Sequence, residues 1–169
     1  RYGNRAEGTL RGLGTFIEAT APGDRVSIFS YGESVVSLLQ RYPLRIEGET
    51  SRQEILSELT LPLNADRTDI AAALERVWQE REMLFPGVFD TQGERRHPKG
   101  AVILMTDGVL IPVYDDYAHY DRIYAEKSDR LRDMARRLGE IGIPVHVLGV
   151  GRPGRVDDDL NRYVAESSG

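Results

Sequence analysis

Apolar positions along this chain follow two spacings, one suited to helices and one to strands. The stretch RAEGTLRGLGTFIEATAPGDR places Leu10, Leu13, Phe16 and Ile17 at helical spacing and breaks at Pro22-Gly23-Asp24. RVSIFSYG and SVVSLLQRY follow, two short β-rich runs joined by Tyr31-Gly32-Glu33. That pattern predicts a hairpin and makes one of the two runs an antiparallel edge strand. Ser51 and Glu54 form a capping-box pattern ahead of Ile55, Leu56 and Leu59, predicting a short helix that ends near Pro62. TDIAAALERVWQERE carries Ile70, Ala73, Leu74, Val77 and Trp78 on one face and is the clearest helix, over 69–82.

MLFPGVFDTQGERRHPKG mixes apolar residues with Gly, Pro and charge, and reads as a long exposed loop. An unbroken apolar run, Ala101 to Met105, comes next and predicts a buried strand. VLIPVYDDYAHYDRIYAEK has no clean period. The expectation for 109–127 is an exposed loop or short helix. Ser128 is placed to cap DRLRDMARRLGEIG, whose Leu131, Met134, Ala135 and Leu138 predict a helix stopped by Gly139 or Gly142. IPVHVLGVG is a second buried strand, and DDDLNRYVAESSG a final short helix with acids at its N-terminus.

Two near-continuous apolar strands separated by a helix imply a right-handed βαβ crossover in a parallel sheet. The predicted class is α/β: a doubly wound, Rossmann-like, mostly parallel sheet with helices on both faces and one antiparallel edge strand. At 169 residues the expectation is a single domain over 1–169.

Composition narrows the function. A net charge of −5 argues against sequence-independent nucleic-acid binding, which needs a clustered basic surface. The chain has no cysteine, so disulfides, thiolate nucleophiles and cysteine-ligated zinc are excluded, although this does not decide the compartment. His97, His119 and His146 are scattered without metal-ligand spacing. No apolar run approaches the length needed to cross a bilayer, and no signal-peptide pattern opens the sequence. Membrane anchoring would have to come from segments absent here.

In doubly wound sheets, ligands bind outside the carboxyl ends of the strands. Asp107 follows the run 101–105, and Thr68 stands just before the 69–82 helix, so a hydroxyl and a carboxylate converge above such a sheet. Both offer hard oxygen, the donor that suits Mg²⁺ or Ca²⁺. Each also has a plain structural reading: Thr68 as a helix N-cap, and Asp107-Gly108 as a turn. GVGRPG, with Gly149, Gly151 and Gly154, fits G-x-G-x-x-G after a strand. Pro153 intervenes where a helix should open, and a plain loop is the better reading. His146 reads as a satisfied core histidine, and Asp157, Asp158 and Asp159 as a helix start. Tyr114, Tyr117, Tyr120 and Tyr124 lie among charges immediately after the candidate site. They suit either a recognition surface or a packed loop over the sheet's upper edge.

Five pieces in order, APGDRVSIFSYG, NADRTDIAAALERVW, GAVILMTDG, LGEIGIPVHVLGVG and LNRYVAESSG, resemble a von Willebrand factor A domain. The resemblance runs from about Gly3 to Gly169. It implies a Rossmann-like sheet and a metal-ion-dependent adhesion site, built from an Asp-x-Ser-x-Ser motif after the first strand, a threonine before a later helix, and an aspartate after the fourth strand. Thr68 matches that threonine and Asp107 that aspartate. The Asp-x-Ser-x-Ser motif is absent, and Arg1 falls inside the junction where it belongs. Either the chain is trimmed at its N-terminus relative to the family, which is the expectation, or the family's metal site is incomplete here. The missing strand would lie between 25–30 and 101–105, a gap of about 10 Å.

The function implied is metal-dependent protein binding. Mg²⁺ (or Mn²⁺ or Ca²⁺), held in part by Thr68 and Asp107, would engage an acidic group of a partner protein, with Tyr114, Tyr117 and Tyr120 in the contact surface. No bond is made or broken. The alternative is an enzyme on the same scaffold, using Asp107 as base or nucleophile or binding a nucleotide at Gly149–Gly154.

Overall fold

A computed structural model describes residues 3–32, 34–60, 69–86, 100–106, 120–149 and 158–168. The architecture is mixed α/β. Elements run α1 (Gly3–Glu18), β1 (Arg25–Val26), β2 (Phe29–Tyr31), β3 (Val35–Ser37), β4 (Leu44–Arg45) and α2 (Glu49–Glu58). They continue as α3 (Ile70–Gln79), α4 (Arg81–Leu84), β5 (Val102–Thr106), α5 (Tyr120–Glu140), β6 (Val145–Gly149) and α6 (Asp158–Ser168). The chain forms two compact units, one of Arg1–Ser30 with Val35–Asn64, the other of Tyr31–Ser34 with Ala65–Gly169.

In the first unit, α1 ends at a tight turn, with Asp24 N–H donating to the Ala21 carbonyl at 3.1 Å. Pro22 supplies the fixed φ of the second position and Gly23, at φ 99°, the positive φ of the third. The Asp24 carboxylate accepts from Ala21 N–H at 2.8 Å, closing the turn from the side-chain side. The chain then returns antiparallel: β1 pairs with β4, Val26 opposite Leu44. The predicted hairpin forms as β2 beside β3, extended by Leu38 N–H donating to the Ile28 carbonyl at 2.8 Å. So short a link between the two strands permits antiparallel pairing alone. Ile17, Val26, Ile28, Leu39, Ile46 and Ile55 make the core, with Leu13 and Leu56 against it.

Two expectations change here. Phe16 remains 42% exposed while its neighbour Ile17 is fully buried, because α1 turns a narrow stripe inward. The α2 helix opens at Glu49, before the expected capping box. Ser51 sits in its first turn and its hydroxyl accepts from Gly48 N–H at 3.1 Å and Glu47 N–H at 2.8 Å.

The second unit holds the parallel pair expected of a βαβ segment. β5 and β6 run in register from Val102 opposite Val145 to Thr106 opposite Gly149, with α5 between them in sequence. It is the one parallel pair among the described residues; the other two sheets are two-stranded pairs in the segment 25–45. Leu104, Thr106 and Val145 are buried, with α5 and α6 packed against β6. On the opposite face Ile103 is 40% and Leu148 50% exposed, with His146 exposed between them. His146, expected in the core, is instead exposed, on the same face as its register partner Ile103.

The α5 helix begins a full two turns earlier than expected, and Ser128 lies inside it, 5% exposed, rather than capping it. Tyr124, Ser128, Leu131, Ala135 and Leu138 repeat at alternating steps of four and three, so the inward stripe runs from a half-buried tyrosine through a buried serine. The helix stops in a Schellman turn. Ile143 N–H donates to the Leu138 carbonyl at 2.9 Å and Gly142 N–H to the Gly139 carbonyl at 2.8 Å, with Gly142 at φ 78°. Leu138 and Ile143, the two residues such a turn brings together, are both fully buried.

Candidate functional site

Several contacts in the second unit fix which ends of its elements coincide. The Schellman turn delivers α5's C-terminus to the amino end of β6. Val145, the first residue of β6, donates its N–H to Ser168 Oγ at 2.7 Å, so α6's C-terminus lies at that same end. Gly100, just before β5, approaches Phe85, just after α4, so closely that a Cβ would fall 2.6 Å from the ring. Helices α3 and α5 run parallel, because Asp69, Glu75 and Trp78 meet Lys127, Arg130 and Arg137 in the same order. The N-termini of α3, α5 and α6 therefore all lie toward the carboxyl ends of β5 and β6. That is the edge where parallel α/β sheets bind ligands.

The backbone of the two strands is oriented with equal definition. Val102 N–H donates to the Pro144 carbonyl at 2.9 Å, so Val102, Leu104 and Thr106 turn their peptide groups toward β6. Ile103 and Met105 turn theirs to the outer edge of β5. There the Tyr31 hydroxyl donates to the Met105 carbonyl at 2.7 Å. At the outer edge of β6 the Ser168 hydroxyl, 3% exposed as a residue, serves Val145 in the same way. Each edge of the pair is thus met by a side-chain hydroxyl, which leaves fewer open groups for another strand.

Electrostatics tie α3 to α5. Asp69 is the N-cap of α3, its carboxylate accepting from Ala72 N–H at 3.0 Å, with Lys127 Nζ 3.9 Å from its other oxygen. Arg130 donates from Nη2 to both oxygens of Glu75 at 2.8 Å and from Nε at 3.1 Å. Those hydrogen bonds hold Arg130 above its ordinary pKa, against the opposing effect of partial burial. On the next turns, the hydrogen bond from Arg136 lowers Asp133, with partial burial opposing and Arg137 adding to the fall.

Of the residues singled out in the sequence, Thr68, Asp107, Tyr114 and Tyr117 lie outside the described residues. So does Gly151–Gly154, and so does the side chain of Tyr120, whose backbone opens α5. Their neighbours are described. Thr68 directly precedes Asp69, and Asp69, not Thr68, is the cap. Asp107 directly follows Thr106, which is 4% exposed at the end of β5. Lys127, Asp69 and Tyr31 were not picked out from sequence. The run TDIAA carries a cap signal for either Thr68 or Asp69, and nothing local distinguishes them. Among the described residues, no group of three or more His, Asp or Glu is arranged to hold a metal.

The chain matches no family model, no curated protein and no solved structure.

Proposed function

We propose that this chain is a von Willebrand factor A-like module that binds a partner protein through a divalent cation. The finer architecture belongs to the same proposal: a doubly wound, mostly parallel sheet of which β5 and β6 form part. One observation carries the reading. The start of α3 and the end of β5, the two places that Thr68 and Asp107 adjoin, both lie toward the carboxyl ends of the parallel strands.

The donor chemistry fits. A threonine hydroxyl and an aspartate carboxylate are hard oxygen ligands, suited to Mg²⁺ or Mn²⁺. The converging helix N-termini carry partial positive charge, which stabilises the anionic ligand and an incoming carboxylate rather than the cation itself. Asp69, engaged with Ala72 and close to Lys127, contributes to the position of α3 and stays out of the ligand set. Bound there, the cation would supply a Lewis-acidic position that an acidic side chain of the partner completes. Thr68 and Asp107 would orient that position, and Tyr114, Tyr117 and Tyr120 would border it as amphipathic contacts.

Titration calorimetry of the native polypeptide with Mg²⁺ and Mn²⁺ tests the reading. Binding is expected in the wild type, weakened in Thr68→Ala and abolished in Asp107→Ala. Equal affinity for wild type and Asp107→Ala would overturn it.

A further inference from the structure

We infer that Arg25 and Arg45, in the first unit, form an anion site that takes a phosphoryl dianion such as a phosphomonoester. The two are direct register partners on the antiparallel pair β1–β4. Ile46 N–H donates to the Asp24 carbonyl at 2.8 Å, which makes Arg25 and Arg45 a non-hydrogen-bonded pair, the kind whose side chains stand closest. Their Cβ atoms are then about 4.5–5.5 Å apart. Val26 is buried in the core and Leu44 packs against it, so alternation turns both arginines to the outer face, where both are exposed.

Like charges directly opposite each other destabilise an antiparallel pair. Other arginines of the unit are neutralised: Arg11, Arg41 and Arg52 lie 3.0, 3.0 and 3.4 Å from Glu7, Glu54 and Glu49. Neither Arg25 nor Arg45 has an ion pair or side-chain hydrogen bond among the described residues. Asp24, next to Arg25 in the chain, directs its carboxylate to Ala21 N–H. Glu47, two residues past Arg45, is exposed and pairs with neither arginine.

The unanswered charge selects the ligand. A carboxylate brings one charge and two oxygens, enough for one guanidinium fork. A phosphoryl dianion brings about two charges and three acceptor oxygens, so two forks can grip it together. The chain as a whole is acidic, at net charge −5, so a general attraction for anions is not the source. This site owes nothing to the metal reading.

The test titrates inorganic phosphate into the native polypeptide at constant ionic strength, followed by ³¹P NMR and by thermal melting. Arg25→Gln and Arg45→Gln are each expected to weaken binding by about threefold to tenfold, a charge-assisted hydrogen bond discounted for exposure to solvent. The double variant should not bind. Arg41→Gln, which removes an arginine already paired with Glu54, should bind as wild type does. Phosphate should raise the melting temperature of the wild type and not of the double variant. In chloride the double variant should melt no lower than wild type, since the repulsion is gone. Binding should fall between about pH 7.5 and about pH 5, as the ligand loses its second charge. Glycerol 3-phosphate binding as phosphate does supports a soluble ester. Binding to phosphatidic acid vesicles, and to neither glycerol 3-phosphate nor phosphatidylcholine vesicles, supports the same chemistry at a lipid surface. A wild type that does not bind phosphate, a double variant that binds it equally, or acetate binding as tightly as phosphate overturns the inference. So does a double variant that melts well below wild type in chloride, because the arginines would then be holding the fold.

Discussion

Replacing Gly139 with alanine sets two effects of opposite sign against each other, and the structure says which wins. Gly139 is an interior residue of α5, where glycine costs about 1 kcal/mol relative to alanine, so on propensity alone the change should stabilise. The new Cβ, however, would stand 2.7 Å from Ser168 Cα and 2.8 Å from the carbonyl oxygens of Ser167 and Ser168. These are backbone atoms of α6, so no side-chain rotation relieves the overlap and the end of the helix must withdraw. Overpacking of this kind costs about 1–3 kcal/mol. Withdrawal also stretches the 2.7 Å bond from Val145 N–H to Ser168 Oγ, which sits in a buried setting and is worth about 1 kcal/mol. The propensity gain offsets roughly one of these costs and leaves a net loss of about 1–3 kcal/mol. Urea denaturation of Gly139→Ala, Ser168→Ala and the double variant would measure it. The pair should be non-additive, because the hydroxyl lost in one variant is already displaced in the other. A Gly139→Ala protein more stable than wild type would show that α5 and α6 do not approach so closely, and would refute the reasoning.

Glu75→Gln should weaken the clamp between α3 and α5 by at most about 1 kcal/mol, since Arg130 and Glu75 are both partly exposed; the difference from wild type should shrink in high salt when unfolding is followed at two ionic strengths. Asp133, held below its ordinary value of 3.8 by Arg136 and then Arg137, contributes stability that is present above that value and is lost as pH falls through the lowered one. Asp133→Asn should therefore flatten the acid limb of a stability-versus-pH curve and leave its alkaline side unchanged; an acid limb identical to wild type would refute the assignment.

The features legible in the sequence were those whose cause is local. Gly142 is the clearest case. A residue at φ 78° after a run of helix formers needs glycine, so the stop of α5 was visible as a choice between two glycines. Which of the two serves as stop was not visible, because the space at Gly139 is taken by the backbone of α6, a helix far along the chain. Ser128 misled for a related reason. A serine before a helical pattern is an ordinary cap, and the stripe it belongs to becomes apparent once Tyr124 is known to face the same way. Thr68 and Asp107 are expectations from spacing and resemblance and lie outside the described residues, whereas the bond from Tyr31 to Met105 had no sequence signal: one tyrosine at the end of a hairpin strand says nothing of Met105.

By itself, the sequence determined the kinds of element and their local ends: the amphipathic α3, the Pro22-Gly23 turn, the hairpin at 29–37 and the parallel strands on either side of α5. Periodicity and backbone sterics act over a few residues, so the information sits where the element forms. Tertiary structure decided that one face of β5–β6 carries Ile103, His146 and Leu148 outward, that Asp69 rather than Thr68 caps α3, and that hydroxyls from Tyr31 and Ser168 meet the outer edges of the strands. Each of these depends on a register or an approach between segments far apart in the chain. A strand's pattern of apolar residues shows that it can be buried, but which face is covered is set by the partner that packs there.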